Sequence, residues 1–148
     1  MVKRIKYFLV FFFFSFLIFG MWEWLQTPFF VDITDKINLI VWYRVHCTIG
    51  DIMILGFSIV IWSLFKKNNT WFFQPEKVDY FAVTLLGTTY TAYSEILNVV
   101  IRKSWGYSEL MPLIPGTHIG IVPIIQWLTL PPLILYICAR FIRGSKDK

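Results

Sequence analysis

The sequence predicts an all-α fold, a four-helix bundle integral to a membrane, and three observations carry that prediction. Four apolar stretches, about residues 7–26, 45–65, 78–101 and 118–141, each approach the roughly 20 residues that cross a hydrocarbon core of about 30 Å. The 148-residue chain is 57% hydrophobic and only 16% charged, with a mean hydropathy of +0.61. Its Lys and Arg residues gather in the short loops and tails rather than within the stretches. A net charge of +5 would suggest nucleic acid as the partner of a soluble protein. Here it reads as orientation in a bilayer, and no nucleic-acid partner is expected.

The elements follow in order, as one membrane domain over residues 1–148. MVKRIK and the run YFLVFFFFSFLIFG have the layout of a signal peptide, but no A-x-A-like site follows, so the run reads as an uncleaved first span. Trp22 and Trp24 suit its outer interface, and Pro28 stops the helix. Thr34, Asp35 and Lys36 could cap a short interfacial helix, INLIVWYR, and whether it runs straight into the second span stays open on the sequence. KKNNTWFFQPEK is a polar turn with Pro75 as breaker. Glu76 and Asp79 at the start of the third span, and Arg102 and Lys103 at its end, complement the helix dipole. SWGYSELMPLIPGT leads to the fourth span, with Thr117 as N-cap and with Pro123, Pro131 and Pro132 favouring kinks.

Orientation follows from the basic residues. Lys3, Arg4, Lys6, Lys66, Lys67, Lys77, Arg140, Arg143, Lys146 and Lys148 lie on one side of this arrangement, against Lys36, Arg44, Arg102 and Lys103 on the other. The positive-inside rule then puts both termini in the cytoplasm. Cys47 and Cys138 fall towards opposite faces, too far apart for a disulfide.

The third span organises the rest. Thr84, Thr88, Thr91, Glu95, Asn98 and Arg102 recur at alternating steps of four and three, which align on one helical face. The other positions, Val83, Leu85, Leu86, Tyr90, Tyr93, Ile96, Leu97, Val99 and Val100, make an apolar coat. Polar groups facing lipid go unpaired, so the stripe is expected to face the other helices.

The remaining polar residues share one level. Glu23 and Gln26 end the first span, and His46, Cys47 and Asp51 begin the second. Glu95, Asn98 and Arg102 end the third, while His118 and Gln126 open the fourth, so all lie in the outer half. An acid at that depth needs a partner, and His46 and Arg102 are the nearest to Asp51 by depth. Asp51, Glu95 and His46 are therefore the catalytic candidates. Glu23, Gln26, Asn98, Arg102, Trp105, Tyr107, Glu109 and Gln126 are the candidate ligand contacts. Thr side chains serve widely as interhelical glue, and histidine is affordable near an interface, so structural roles compete with these. WEWLQTP could be an aromatic belt or part of the site. SWGYSELMP could be a plain loop or an ordered cap.

Five segments carry a resemblance: WEWLQTP, HCTIGD, EILN, WGYSELMP and PIIQW. Their patterns, W-E-x-x-Q-x-P, H-C-x-x-G-D, E-x-L-N, W-x-Y-x-E-x-M-P and P-x-x-Q-W, resemble those of a group of small bacterial four-span membrane proteins. The resemblance implies a bacterial cytoplasmic (inner) membrane. It singles out Glu23, Gln26, His46, Asp51, Glu95, Asn98, Trp105, Tyr107, Glu109 and Gln126, and supplies no mechanism.

Three functions stay open on the residues. A polar pocket in the outer half could bind or act on an amphiphile of lipid or isoprenoid type, with the carboxyls as acid and base. The polar residues could instead be structural, in an accessory subunit with a membrane partner. His46 and His118 could hold haem or a metal. Proton translocation is disfavoured, because the inner half of the spans offers no relay.

Overall fold

The computed structural model describes residues 2–31 and 34–144. It is all-α apart from a two-residue ribbon. The helices are α1 (Val2–Leu25), α2 (Ile37–Lys66), α3 (Lys77–Glu95) and α4 (Ile121–Gly144). Strands β1 (Phe30–Val31) and β2 (Gly106–Tyr107) pair antiparallel, Phe30 opposite Tyr107. Each helix packs on its neighbours in sequence and α1 closes against α4, as short connections dictate for antiparallel neighbours. Among the described residues α1, α2 and α4 are long and apolar enough to cross a membrane. Helix α3 is shorter and carries the polar stripe, and a π-helical segment, Ile96–Ile101, extends it. Lys3, Lys146 and Lys148 of the orientation count lie outside the described side chains.

Each helix buries a stripe at helical spacing. On α1 it is Tyr7, Phe11, Ser15, Phe19 and Glu23, and on α2 Arg44, Thr48, Ile52, Leu55 and Ser58. Helix α4 buries a wider face, with Trp127, Ile134, Leu135, Cys138 and Ala139 all but inaccessible. Both cysteines are free, Cys47 exposed and Cys138 buried.

Several expectations need correction. Of the two arrangements open for INLIVWYR the continuous one is found: the segment is the first two turns of α2, which runs unbroken for 30 residues, about 45 Å. Arg44 is thereby carried onto its buried face. The inward face of α3 is Asp79, Val83, Gly87, Thr91 and Glu95, so Val83, assigned to the apolar coat, is fully buried. Thr84, Thr88 and Asn98 are half-buried, and Arg102 is exposed. Two causes combine. Trp127 of α4 lies against the bare backbone of Gly87, where a Cβ would meet its ring at 2.1 Å, and this rotates Gly87 inward. Beyond Glu95 the π-helix winds more residues into each turn, which breaks the four-and-three spacing.

The α2–α3 turn is tied at both ends. Lys67 caps α2 in the left-handed conformation (φ 51°). Asp79 accepts from Trp62 Nε1 at 2.7 Å, Lys66 Nζ at 2.8 Å and the Glu76 amide at 2.8 Å. The last of these completes a capping box with Glu76, satisfying backbone donors that the helix start leaves open. Thr117 is not the N-cap of α4. Its hydroxyl donates to the Ile114 carbonyl and accepts from the Ile119 amide, shaping a turn that a Leu113–Gly120 bridge closes before the helix begins.

Candidate functional site

Glu23 sits in the last turn of α1, and the W-E-x-x-Q spacing places its partners one turn on. Gln26 Nε2 donates to Glu23 Oε1 at 2.6 Å, and Trp22 Nε1 donates to Gln26 Oε1 at 2.9 Å. The first residues past the helix form a 3-10 turn, Thr27–Phe29, with Pro28 in its first turn. Both Glu23 and Gln26 are buried.

Asp51 lies two turns beyond Arg44 on α2 and meets α4. Gln126 Nε2 donates to Asp51 Oδ2 at 2.6 Å, so the partner of this acid is a neutral amide rather than Arg102 or His46. Glu23 of α1 and Asp51 of α2 thus each face a neutral amide, from Gln26 and Gln126. Arg44 stands within electrostatic reach of both Glu23 and Cys47.

Glu95 closes the inward face of α3. Tyr107 Oη donates to Glu95 Oε2 and accepts from the Gly120 amide at 3.0 Å. Burial, and after it the Glu95 carboxyl, holds the Tyr107 hydroxyl well above the ordinary tyrosine range, so it remains a donor. The ribbon fixes Tyr107: the Ser108 amide donates to the Phe29 carbonyl at 3.0 Å and Ser108 Oγ to the Pro28 carbonyl at 2.7 Å. SWGYSELMP is thus an ordered cap, fastened to the W-E-x-x-Q-x-P segment by these bonds.

These side chains enclose a cavity of about 470 Å³. Glu23, Asp51 and Glu95 line it from three helices, and Gln126 from the fourth. Gln26, His46 and Trp105 also line it, as do Arg44, Cys47 and Thr91. Five of the predicted residues stand elsewhere. Tyr107 lies behind Glu95. Asn98 turns back within the π-helix, its Nδ2 donating to the Ser94 carbonyl at 2.9 Å. Arg102 follows the end of that helix and is exposed, and Glu109, in the connection after β2, is exposed too. His118 precedes α4 on the exposed turn before the Leu113–Gly120 bridge closes. His46 and His118 therefore do not share the cavity, and among the described residues no three His, Cys, Asp or Glu side chains converge as metal ligands.

Arg44 and the cavity walls at Tyr90 and Ser94 escaped the sequence reading. A signal for Arg44 existed, since Arg44, Thr48 and Asp51 are spaced four and three apart, but it shows only once α2 is drawn as one helix. No family model, no curated protein and no solved structure matches this chain.

Proposed function

We propose that this is a four-span membrane protein of the bacterial inner membrane, with both termini cytoplasmic, whose outer-half cavity binds an amphiphile. The bilayer reading is supported by three helices of spanning length and hydropathy. Large apolar side chains also point outward from every helix, among them Phe12 and Phe16, Phe57 and Leu64, Phe81 and Leu85, and Leu128 and Leu133. A monomer in water does not present so continuous an apolar surface. Helix α3 with its π-helical extension would be the fourth span. Reporter fusions at the C-terminus and at Asp35 are expected on opposite sides of the membrane, and agreement between them would refute the four-span arrangement.

One observation carries the amphiphile reading. Beside the polar cavity lies a second, apolar one of about 470 Å³ along the seam between α2 and α3. Gly50, Ile54 and Tyr90 line both. Met53, Phe57, Ile61 and Leu86 line the apolar part alone. A polar chamber set against an apolar slot, with three residues common to both linings, suits a ligand with a polar head and a hydrocarbon tail. The acid–base candidates Asp51, Glu95 and His46 stand at the head end.

Gly50 stands where the two linings meet, and a Cβ there would meet nothing within 4 Å. Gly50→Leu therefore places a large side chain between the two linings without disturbing the helix, which a leucine favours over glycine. The amphiphile retained by purified protein, read by mass spectrometry of a solvent extract, is expected to fall about tenfold in this variant, equivalent to about 1.4 kcal/mol of binding. Unchanged retention with an unchanged melting temperature would refute the reading. Absorption and elemental spectra of the same sample report haem or metal.

A further inference from the structure

We propose that the ligand of this cavity is a resident of the outer leaflet and enters sideways, between α2 and α3, rather than from water through the outer cap; the proposal rests on the amphiphile reading above. The cavity has a closed side and an open one. Glu23 and Gln26 of α1 and Pro123, Gln126 and Trp127 of α4 are all buried, and they form its back wall. Among the described lining residues the exposed ones are Val31, Tyr43, His46, Cys47, Tyr90 and Ser104. They come from α2, from α3 and from the two outer connections, and none comes from α1 or α4. A residue that lines a cavity and also reaches the surface marks its rim. The mouth therefore lies on the α2–α3 side.

Its level follows from counting along the helices. From the turn that joins α2 and α3, Tyr90 stands about 20 Å up α3 and Gly50 about 24 Å up α2, at 1.5 Å per residue. Both fall inside a hydrocarbon core of about 30 Å. Gly50 leaves the α2 side of the rim bare, since a Cβ there would meet nothing within 4 Å. The surface beside the mouth is apolar, for Met53 and Phe57 of α2 and Tyr93 of α3 are each more than half exposed. A lipid moving in this way brings its head in at the top of the mouth and leaves its tail along Met53, Phe57 and Leu86.

The aqueous side, by contrast, is tied down. Phe30 and Trp105 line the cavity from the cap, and both are half-buried. Phe30 is paired with Tyr107 in the ribbon, whose hydroxyl accepts from the Gly120 amide at 3.0 Å. The Ser108 bonds to Phe29 and Pro28 hold the same ribbon, and the Ser104 amide donates to the Asn98 carbonyl at 2.8 Å. Entry through the cap would break several of these bonds together, whereas the α2–α3 rim already reaches the surface.

Two spin-labelled proteins test this. On a Cys47→Ser background, Tyr90→Cys carries a nitroxide on the mouth and Ser104→Cys carries one on the cap, while Cys138 is fully buried and stays in place. Positions 90 and 104 are exposed, so neither label displaces the packed core. The full chain is reconstituted in phosphatidylcholine vesicles. Power saturation then compares collisions with oxygen, which concentrates in the bilayer, and with a nickel chelate, which stays in water. The label at position 90 is expected to favour oxygen over nickel at least about fivefold more than the label at position 104, as a site within the hydrocarbon core requires.

Entry is read on the same two proteins. Each is stripped in detergent and mixed with vesicles of total bacterial inner-membrane lipid, and the amphiphile taken up over time is followed by mass spectrometry of an extract. Against the same protein unlabelled, the label at position 90 is expected to slow uptake at least about fivefold and the label at position 104 less than about twofold, an effect on the association rate. Equal nickel access at both labels, or slowing at position 104 as large as at position 90, or slowing at neither, would overturn lateral entry while leaving an amphiphile site. No uptake by either unlabelled protein would overturn the amphiphile reading and lateral entry with it.

Discussion

Gly87→Ala is expected to destabilise the bundle by about 3 kcal/mol, the upper end of what overpacking a close-packed core costs. A Cβ at this position would stand 2.1 Å from Trp127 Cζ3 and 2.2 Å from Cε3, far inside van der Waals contact. The ring has nowhere to go. Trp127 is 1% exposed and packs on Phe19, ring centres 5.8 Å apart. Helix propensity alone predicts the opposite sign, since alanine is better than glycine in a helix by about 1 kcal/mol. Gly56→Ala is the matched control, because its Cβ would meet nothing within 4 Å. Thermal unfolding in detergent should show Gly87→Ala well below the parent and Gly56→Ala at or slightly above it. If the two variants melt together, the α3–α4 packing described here is wrong. Gly87→Ala combined with Trp127→Leu should recover part of the loss, since removing the ring removes the clash.

Asp79→Ala is expected to cost about 2–3 kcal/mol, the range for leaving buried donors without their acceptor. Asp79 is fully buried and serves three donors on two sides of the turn, Trp62, Lys66 and the Glu76 amide. Without the carboxyl, the Trp62 indole and the first turn of α3 lose their acceptor together. Asp79→Asn keeps one oxygen and the side-chain shape, so its loss should be about half as large. The Lys66–Glu76 contact, at 3.6 Å with Glu76 72% exposed, is of the screened surface kind that contributes little. Glu76→Gln should therefore leave the melting temperature within about a degree or two of the parent, consistent with a pair worth a few tenths of a kcal/mol. A Glu76→Gln loss as large as that of Asp79→Ala would show that the surface pair, and not the buried acid, holds the turn.

The four helices and the level of the polar residues were legible from the sequence because both are local properties. Hydrophobic run length, Pro28, Pro75 and the Glu76–Asp79 start signal each act within a few residues of where they stand. Counting along the helices from these bounds places Glu23, Asp51, Glu95 and Gln126 at one depth without knowledge of any contact. Their lining of one cavity depends on something else, the rotation of each helix about its own axis. Gly87 faces α4 in place of Thr88 because Trp127 needs a surface without a side chain. Asn98 and Arg102 leave the stripe because a π-helix follows Glu95, a change of winding with no signature in hydropathy. Arg44 turns inward because α2 continues through residues that also read as a separate amphipathic turn. Depth is set by distance along a chain segment, whereas facing is set by the side chains of a partner helix 40 to 75 positions away, and only the assembled bundle brings those together.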